Sequence, residues 1–134
     1  FTLQINTDGQ KLYDFTKKTI GWIKEKKLLN GILNLSIQHT SASLIVQENA
    51  DPDVQSDLIN FFDKIVPMNN DLYIHTLEGK DDMPAHIKSA LTNNQISLSV
   101  KKNELFLGTW QGFYLFEHRL ETQKRKIIHH FIGE

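Results

Sequence analysis

No cysteine occurs in the 134 residues, which removes disulfides, thiolate zinc sites, iron–sulfur clusters and thiol nucleophiles together. Any metal must therefore be held by histidine and carboxylate. No apolar run approaches the roughly 20 residues that a membrane-spanning helix needs, so no membrane partner is expected. A basic segment followed by an apolar one, the mark of a secretory leader, is also missing. A cytosolic location is the expectation if the chain is native from its first residue; it opens on Phe1 rather than Met, so a leader could have been trimmed. Neither sign of charge is in excess, the formal net charge being -1. The only compact basic run, Lys124-Arg125-Lys126, reads as a solvated strand face and gives no footprint for nucleic acid.

What is present is the composition of an ordinary globular domain, 40% hydrophobic and 23% charged. The length suits one domain over residues 1–134, able to bury about two-thirds of its unfolded surface. Repeats, low-complexity tracts and linkers are not found.

Periodicity then sets the elements. Phe1, Leu3 and Ile5 alternate as in a strand. The segment from Gly9 to Leu28 places Leu12, Phe15, Ile20 and Ile23 at roughly helical spacing between lysines, which predicts one amphipathic helix. After Asn30-Gly31 the period becomes two: Leu33, Leu35, Ile37 and His39 share a face, and a second strand continues through Leu44, Val46 and Glu48. Asp51 as N-cap and Pro52 at the first helical position open a helix with Val54, Leu58, Ile59, Phe61 and Phe62 as its apolar stripe, and Pro67 stops it. Asp71 to Gly79 reads as a short strand running into a loop. Asp82 is the expected N-cap of a further helix, with Met83, Ile87 and Leu91 inward and His86 one turn on. Four strands close the chain, the first two flanking the turn Lys101-Lys102-Asn103. Phe113 beside Tyr114, and Ile127 beside Ile128, predict a sheet covered on both faces by helices or by a second subunit. The fold class is α+β, a single-domain, mixed and largely antiparallel sheet with about three helices.

Chemistry gathers at the element ends. The sequence HTSAS (39–43) sets a histidine and three hydroxyls at a strand terminus. His75 and His86 stand either side of Glu78, Asp81 and Asp82, and a sharp loop would unite two imidazoles and a carboxylate around Zn²⁺ or a similar ion. Glu48, Asn49, Asp51 and Asp53 lead into a helix N-terminus, where carboxylates either complement the helix dipole or hold Mg²⁺ for a phosphorylated substrate. In GTWQG (108–112), Trp110 and Gln111 offer a stacking plane and an amide, unless the segment is a bulge with a core tryptophan. Glu117 and Arg119 share a face with Gln111; Arg119 either pairs with Glu117 or grips phosphate in bidentate fashion.

The segments HTSAS, ENADPDV, HTLEGKDDMPAHIK and LGTWQGFYLFEHR, in this order and spacing, resemble the YjbQ-like family, which is linked to a secondary thiamine-phosphate synthase activity. The resemblance runs from about residue 2 to about residue 132. It implies a compact α+β subunit assembled as a homotrimer, with polar pockets between subunits that sometimes carry a metal. The matched polar positions are His39, Thr40, Ser41, Glu48, Asn49, Asp53, His75, Asp82, His86, Trp110, Gln111, Glu117 and Arg119. After GTWQG many relatives read a different, Asp-Gly-containing segment where this chain has EHRLETQKRK, so His118 is this sequence's own.

From this follow the expected roles. His39, His75 and His86 surround a divalent metal, zinc or magnesium. Thr40 and Ser41 hold phosphate oxygens of a phosphorylated small molecule, with Trp110 and Gln111 also binding substrate. Glu48, Asn49, Asp82 and Arg119 are the catalytic set for joining a pyrimidine diphosphate to a thiazole phosphate. The alternatives are a non-catalytic trimeric module that binds a phosphorylated metabolite or a metal, and histidines that serve only a trimer interface.

Overall fold

Alternating strands fold into two antiparallel sheets laid face to face in the computed structural model, which describes residues 1–134. The larger sheet has the order β1 (Thr2–Asp8), β8 (Thr122–Gly133), β3 (Gly31–Ile37), β5 (Gln95–Lys101) and β6 (Glu104–Leu105). The smaller has β2 (Lys11–Asp14), β7 (Gln111–Glu117) and β4 (Ala42–Glu48). Leu33, Leu35, Ile37, Val100 and Ile127 of the larger sheet meet Leu44, Phe113 and Leu115 of the smaller, joined by Phe15, the residue before α1 (Thr16–Glu25), and by Ile23 within it. This shared interior holds the sheets together, at roughly 25 cal/mol for each Å² of apolar surface withdrawn from water.

The two-sided strand is explained by a helix. Phe113 and Leu115 of β7 face the inter-sheet core, whereas Tyr114 and Phe116 face outward with Leu12, under Leu58, Ile59 and Phe62 of α2 (Pro52–Ile65). Asp51 caps α2 as expected, its carboxylate accepting from Asp53 N at 2.9 Å. The expected stripe is narrower, however: Phe61 is exposed, and the packed positions are those on the β7 side.

Three expectations are corrected. Leu12 belongs to β2, not to a helix, and α1 begins only at Thr16, because Leu12 pairs with Phe116 across a ladder that its periodicity does not reveal. Residues 71–79 form no strand; a short 3₁₀ turn (Asn70–Leu72) runs into an irregular loop. In α3 (Asp82–Leu91) the buried positions are Asp82, Pro84, Ala85 and Lys88, while Leu91 is exposed, so the helix lies on the strand ends by a face that is partly charged. The hairpin β5–β6 turns through Lys102 (φ 52°) and Asn103 (φ 63°), the pair of left-handed residues that suits a tight antiparallel turn.

Candidate metal centre

The loop before α3 is bent by Gly79, whose φ of 106° disfavours a side chain, and the Asp82 N–H donates to Gly79 O at 3.3 Å. This places Asp82 in the first helical turn rather than at the cap. Neither neighbouring carboxylate caps α3, because both are engaged elsewhere. Arg119, just past the end of β7, donates from Nε to Asp81 Oδ2 at 2.9 Å, from Nη1 to Asp82 Oδ1 at 2.6 Å and from Nη2 to Glu78 O at 2.9 Å. Asp81 Oδ2 also accepts from Leu120 N at 2.9 Å. Arg119 therefore ties the β7 exit to the α3 entrance and fixes the Asp82 carboxylate.

The second oxygen of Asp82 faces the histidines. His75 Nε2 lies 2.7 Å from Oδ2 and His86 Nε2 3.3 Å from the same atom, with the two rings set edge to face at 5.5 Å. The ligating atoms of His75, Asp82 and His86 all fall within 4.8 Å of one another. Asp82 is buried, while the side chains of His75 and His86 keep 47% and 33% of their surface, so the cluster opens to solvent on the imidazole side. Burial pushes the Asp82 carboxyl up, but the His75 hydrogen bond and the Arg119 and histidine charges outweigh it and hold the group below its ordinary value. The carboxylate is therefore ionised at neutral pH.

The tautomer of His86 is fixed by its other nitrogen. Nδ1 lies 3.0 Å from Thr40 O, and a carbonyl only accepts, so Nδ1 carries a proton. Nε2 then turns toward the Asp82 carboxylate, where a bare lone pair is repelled unless a proton or a cation lies between. Two imidazoles and a buried carboxylate, with one ring oriented by the Thr40 carbonyl, make a donor set that fits a transition-metal ion with open positions. Magnesium, which prefers oxygen, fits it poorly.

Two of the residues expected at this centre are engaged elsewhere. His39 Nε2 accepts from Lys126 N at 3.0 Å, and it is Asp82, not His39, that groups with His75 and His86. Burial, and then the Arg125 charge, lowers the His39 imidazole from its usual range. Ser41 Oγ accepts from Arg125 Nη2 at 2.9 Å, and Thr40 contributes its carbonyl to His86.

Glu48, Asn49, Trp110 and Gln111 form a separate group. Ala42 pairs with Glu117, whereas Glu48 pairs with Gln111 at the other end of the ladder, about 20 Å away at ~3.3 Å per residue. There Glu48 accepts from Asp51 N at 3.1 Å, Asn49 donates to Thr109 O and Gln111 O at 3.4 and 3.3 Å, and Gln111 accepts from Gly108 N at 2.7 Å. Trp110 is 64% exposed and is not a core residue.

A buried network that the sequence did not disclose supports the centre from below. Glu117 receives Arg125 Nε at 2.8 Å and Nη2 at 2.6 Å, together with the Thr7 hydroxyl and the His118 and Arg119 N–H groups. Arg125, expected on a solvated face, is 4% exposed. Its strand parity with Ile127 and His129 was the available signal.

These features define a two-sheet antiparallel α+β protein with a His–Asp–His cluster where β7 meets α3. The family model described as UPF0047 protein YjbQ-like matches residues 1–134, and the chain belongs to that family. It is 46% identical over 132 residues to a UPF0047 protein of Synechocystis, covering 98% of this chain and 90% of the relative. The UPF0047 protein YjbQ of Escherichia coli O157:H7 is 40% identical over 134 residues, covering 99% and 96%. A YjbQ/UPF0047-family crystal structure from Clostridium acetobutylicum superposes with a TM-score of 0.89 at 28% identity, covering 98% of this chain and 99% of that one. A conserved Thermus thermophilus protein gives 0.86 at 29% identity, covering 98% and 99%.

Proposed function

We propose that His75, Asp82 and His86 hold a divalent transition-metal ion, zinc or one of similar preference, and that this centre acts on a phosphorylated small molecule. The reaction that best fits the family resemblance is a thiamine-phosphate synthase-type transfer, in which a thiazole phosphate nitrogen replaces the diphosphate of a pyrimidine diphosphate. The observation that carries the reading is His86, whose Nδ1–H is held by Thr40 O while Nε2 faces an ionised carboxylate oxygen at 3.3 Å. A bound ion would supply positive charge to a departing diphosphate. The chain's own part is positional: Arg119 locks Asp82, Thr40 O orients His86, and the exposed imidazole side admits the substrate.

Within one chain Glu48, Asn49, Trp110 and Gln111 stand at the far end of β4, and Arg119 is engaged by Asp81 and Asp82. This favours two completions. In a homotrimer, a neighbouring subunit would bring its far group to this centre; the fully exposed Ile74 and Leu77 beside His75 are apolar surface for such a contact. Alternatively, the centre binds a phosphorylated ligand without turning it over.

The test is elemental analysis of protein purified without chelators, beside His86→Ala, with light-scattering mass and product formation from the two phosphorylated precursors measured on the same samples. The reading expects about one ion per chain in the parent, little in the variant, a mass of about three chains, and turnover that follows the metal. Metal and ligand affinity without product would select the binding module. Equal metal content in both proteins would refute the centre.

A further inference from the structure

Beside the centre lies a pocket of about 390 Å³ whose polar lining is His39, Thr40, His86, Ser89, Thr92 and Asn94. No lysine or arginine lines it, which is unusual for a surface meant to hold phosphate. Two of its three hydroxyls are also polarised in one sense. Ser89 Oγ donates to Ala42 O at 2.9 Å and Thr92 Oγ1 donates to Lys88 O at 2.8 Å. A hydroxyl has one proton, so each of these oxygens is left with lone pairs alone to offer the pocket. Donors stand beside them: the Asn94 amide, the Thr40 hydroxyl and His39, whose Nε2 accepts from Lys126 N at 3.0 Å so that the neutral ring carries its proton on Nδ1.

We infer that this pocket selects the uncharged end of the ligand, a hydroxyl- or amino-bearing group whose N–H or O–H protons are received by Ser89 and Thr92. The inference rests on the metal-centre reading, since it places the phosphate of the same molecule on the ion and its neutral donors in the pocket. Thr40, expected to bind phosphate, then belongs to the wall between the two. A group with N–H or O–H protons pairs with the Ser89 and Thr92 oxygens, whereas an apolar group would leave them unpaired. The same two hydrogen bonds therefore set a preference for a donor-bearing group over an apolar one.

The experiment compares sn-glycerol 3-phosphate, which has hydroxyl donors, with propyl phosphate, which has none, by calorimetric titration of the full chain in the presence of zinc. Inorganic phosphate serves as a probe of the ion alone. The wild type is expected to prefer the glycerol ester by about tenfold, the worth of one or two added hydrogen bonds. Ser89→Ala combined with Thr92→Val should abolish that preference while leaving zinc content and inorganic phosphate affinity unchanged. Thr92→Ser alone, which keeps the hydroxyl, should retain most of it and guards against a folding defect in the double variant. Equal affinity for the two esters, binding of neither, or a preference that survives the double variant would overturn the pocket assignment. Failure of inorganic phosphate or zinc to bind would instead overturn the underlying centre.

Discussion

Asp82 illustrates how one side chain becomes a site through its partners. Its Oδ1 receives Arg119 Nη1 at 2.6 Å and its Oδ2 faces His75 and His86. The arginine neutralises a charge that burial would otherwise disfavour, and it leaves one oxygen directed at the histidines. Asp82→Asn keeps the shape but removes the charge and points an amide where the cation is expected. Zinc content should fall to near zero. Stability of the metal-free protein should drop by about 2 kcal/mol, the usual worth of a charge-assisted hydrogen bond. Elemental analysis and urea unfolding in chelator check the two effects separately. A variant that keeps its metal would refute the ligand role, whatever its stability. His86, which remains a third exposed, should cost far less stability when truncated, and the contrast separates ligand from scaffold.

At the scale of elements, the β7–β8 pairing and the α3 entrance are joined by buried charge. Glu117, fully buried on β7, accepts from Arg125 on β8 through both oxygens, and it also receives the N–H of Arg119. Glu117→Gln strands the guanidinium in an apolar interior, and about 3 kcal/mol of destabilisation is expected in urea unfolding. Replacing Glu117 and Arg125 together by leucine should recover only part of that loss: no unpaired charge then remains, but the Thr7 hydroxyl and the His118 and Arg119 N–H groups lose their acceptor. Apart from β2 and the strand wrongly expected at 71–79, the strands, the capped α2 and the antiparallel class were legible from alternation, from Asp51-Pro52 and from Lys102-Asn103. The core of β7 was legible as two-sided, though not that α2 covers its outer face. The boundary of α1 was not, since Leu12 and Phe15 satisfy a helical spacing as well as a strand followed by a helix. The site was half legible for a similar reason. His75, Asp82 and His86 are close in sequence and their grouping could be read from spacing. The employment of His39, Arg119 and Arg125 depends on cross-strand register, which a single sequence does not print.

At the scale of the whole molecule, burial depresses three histidines outside the centre, His39, His118 and His129, and the two with the largest shifts dominate the response to acid. His118 places Nε2 2.9 Å from Ser43 Oγ, and its Nδ1 is buried without a partner. Burial, reinforced by the charges of Lys88 and Arg125, pushes it down to about 3. His129 sits between Thr19 Oγ1 at 2.7 Å and Ile127 O at 3.3 Å, and burial pushes it down to about 4. Unfolded, both titrate near ~6.5. Between that value and the folded ones the unfolded chain binds more protons than the native one, so stability rises with pH. The stabilisation is complete above pH ~6.5 and is lost progressively as the pH falls, each histidine contributing a slope of up to about 1.4 kcal/mol per pH unit. The depressed carboxyls of Asp81 and Asp82 act in a lower window, below pH ~4, and do not confuse the assignment. Urea unfolding in chelator from about pH 7 to about pH 4.5 should therefore show a steady fall in midpoint, and His129→Gln should remove one histidine's share of the slope whatever it does to stability at pH ~7. A pH-independent midpoint in the parent would mean that these imidazoles take up protons without unfolding, and that the interior around Thr19 and Ser43 admits charge far more readily than its packing implies.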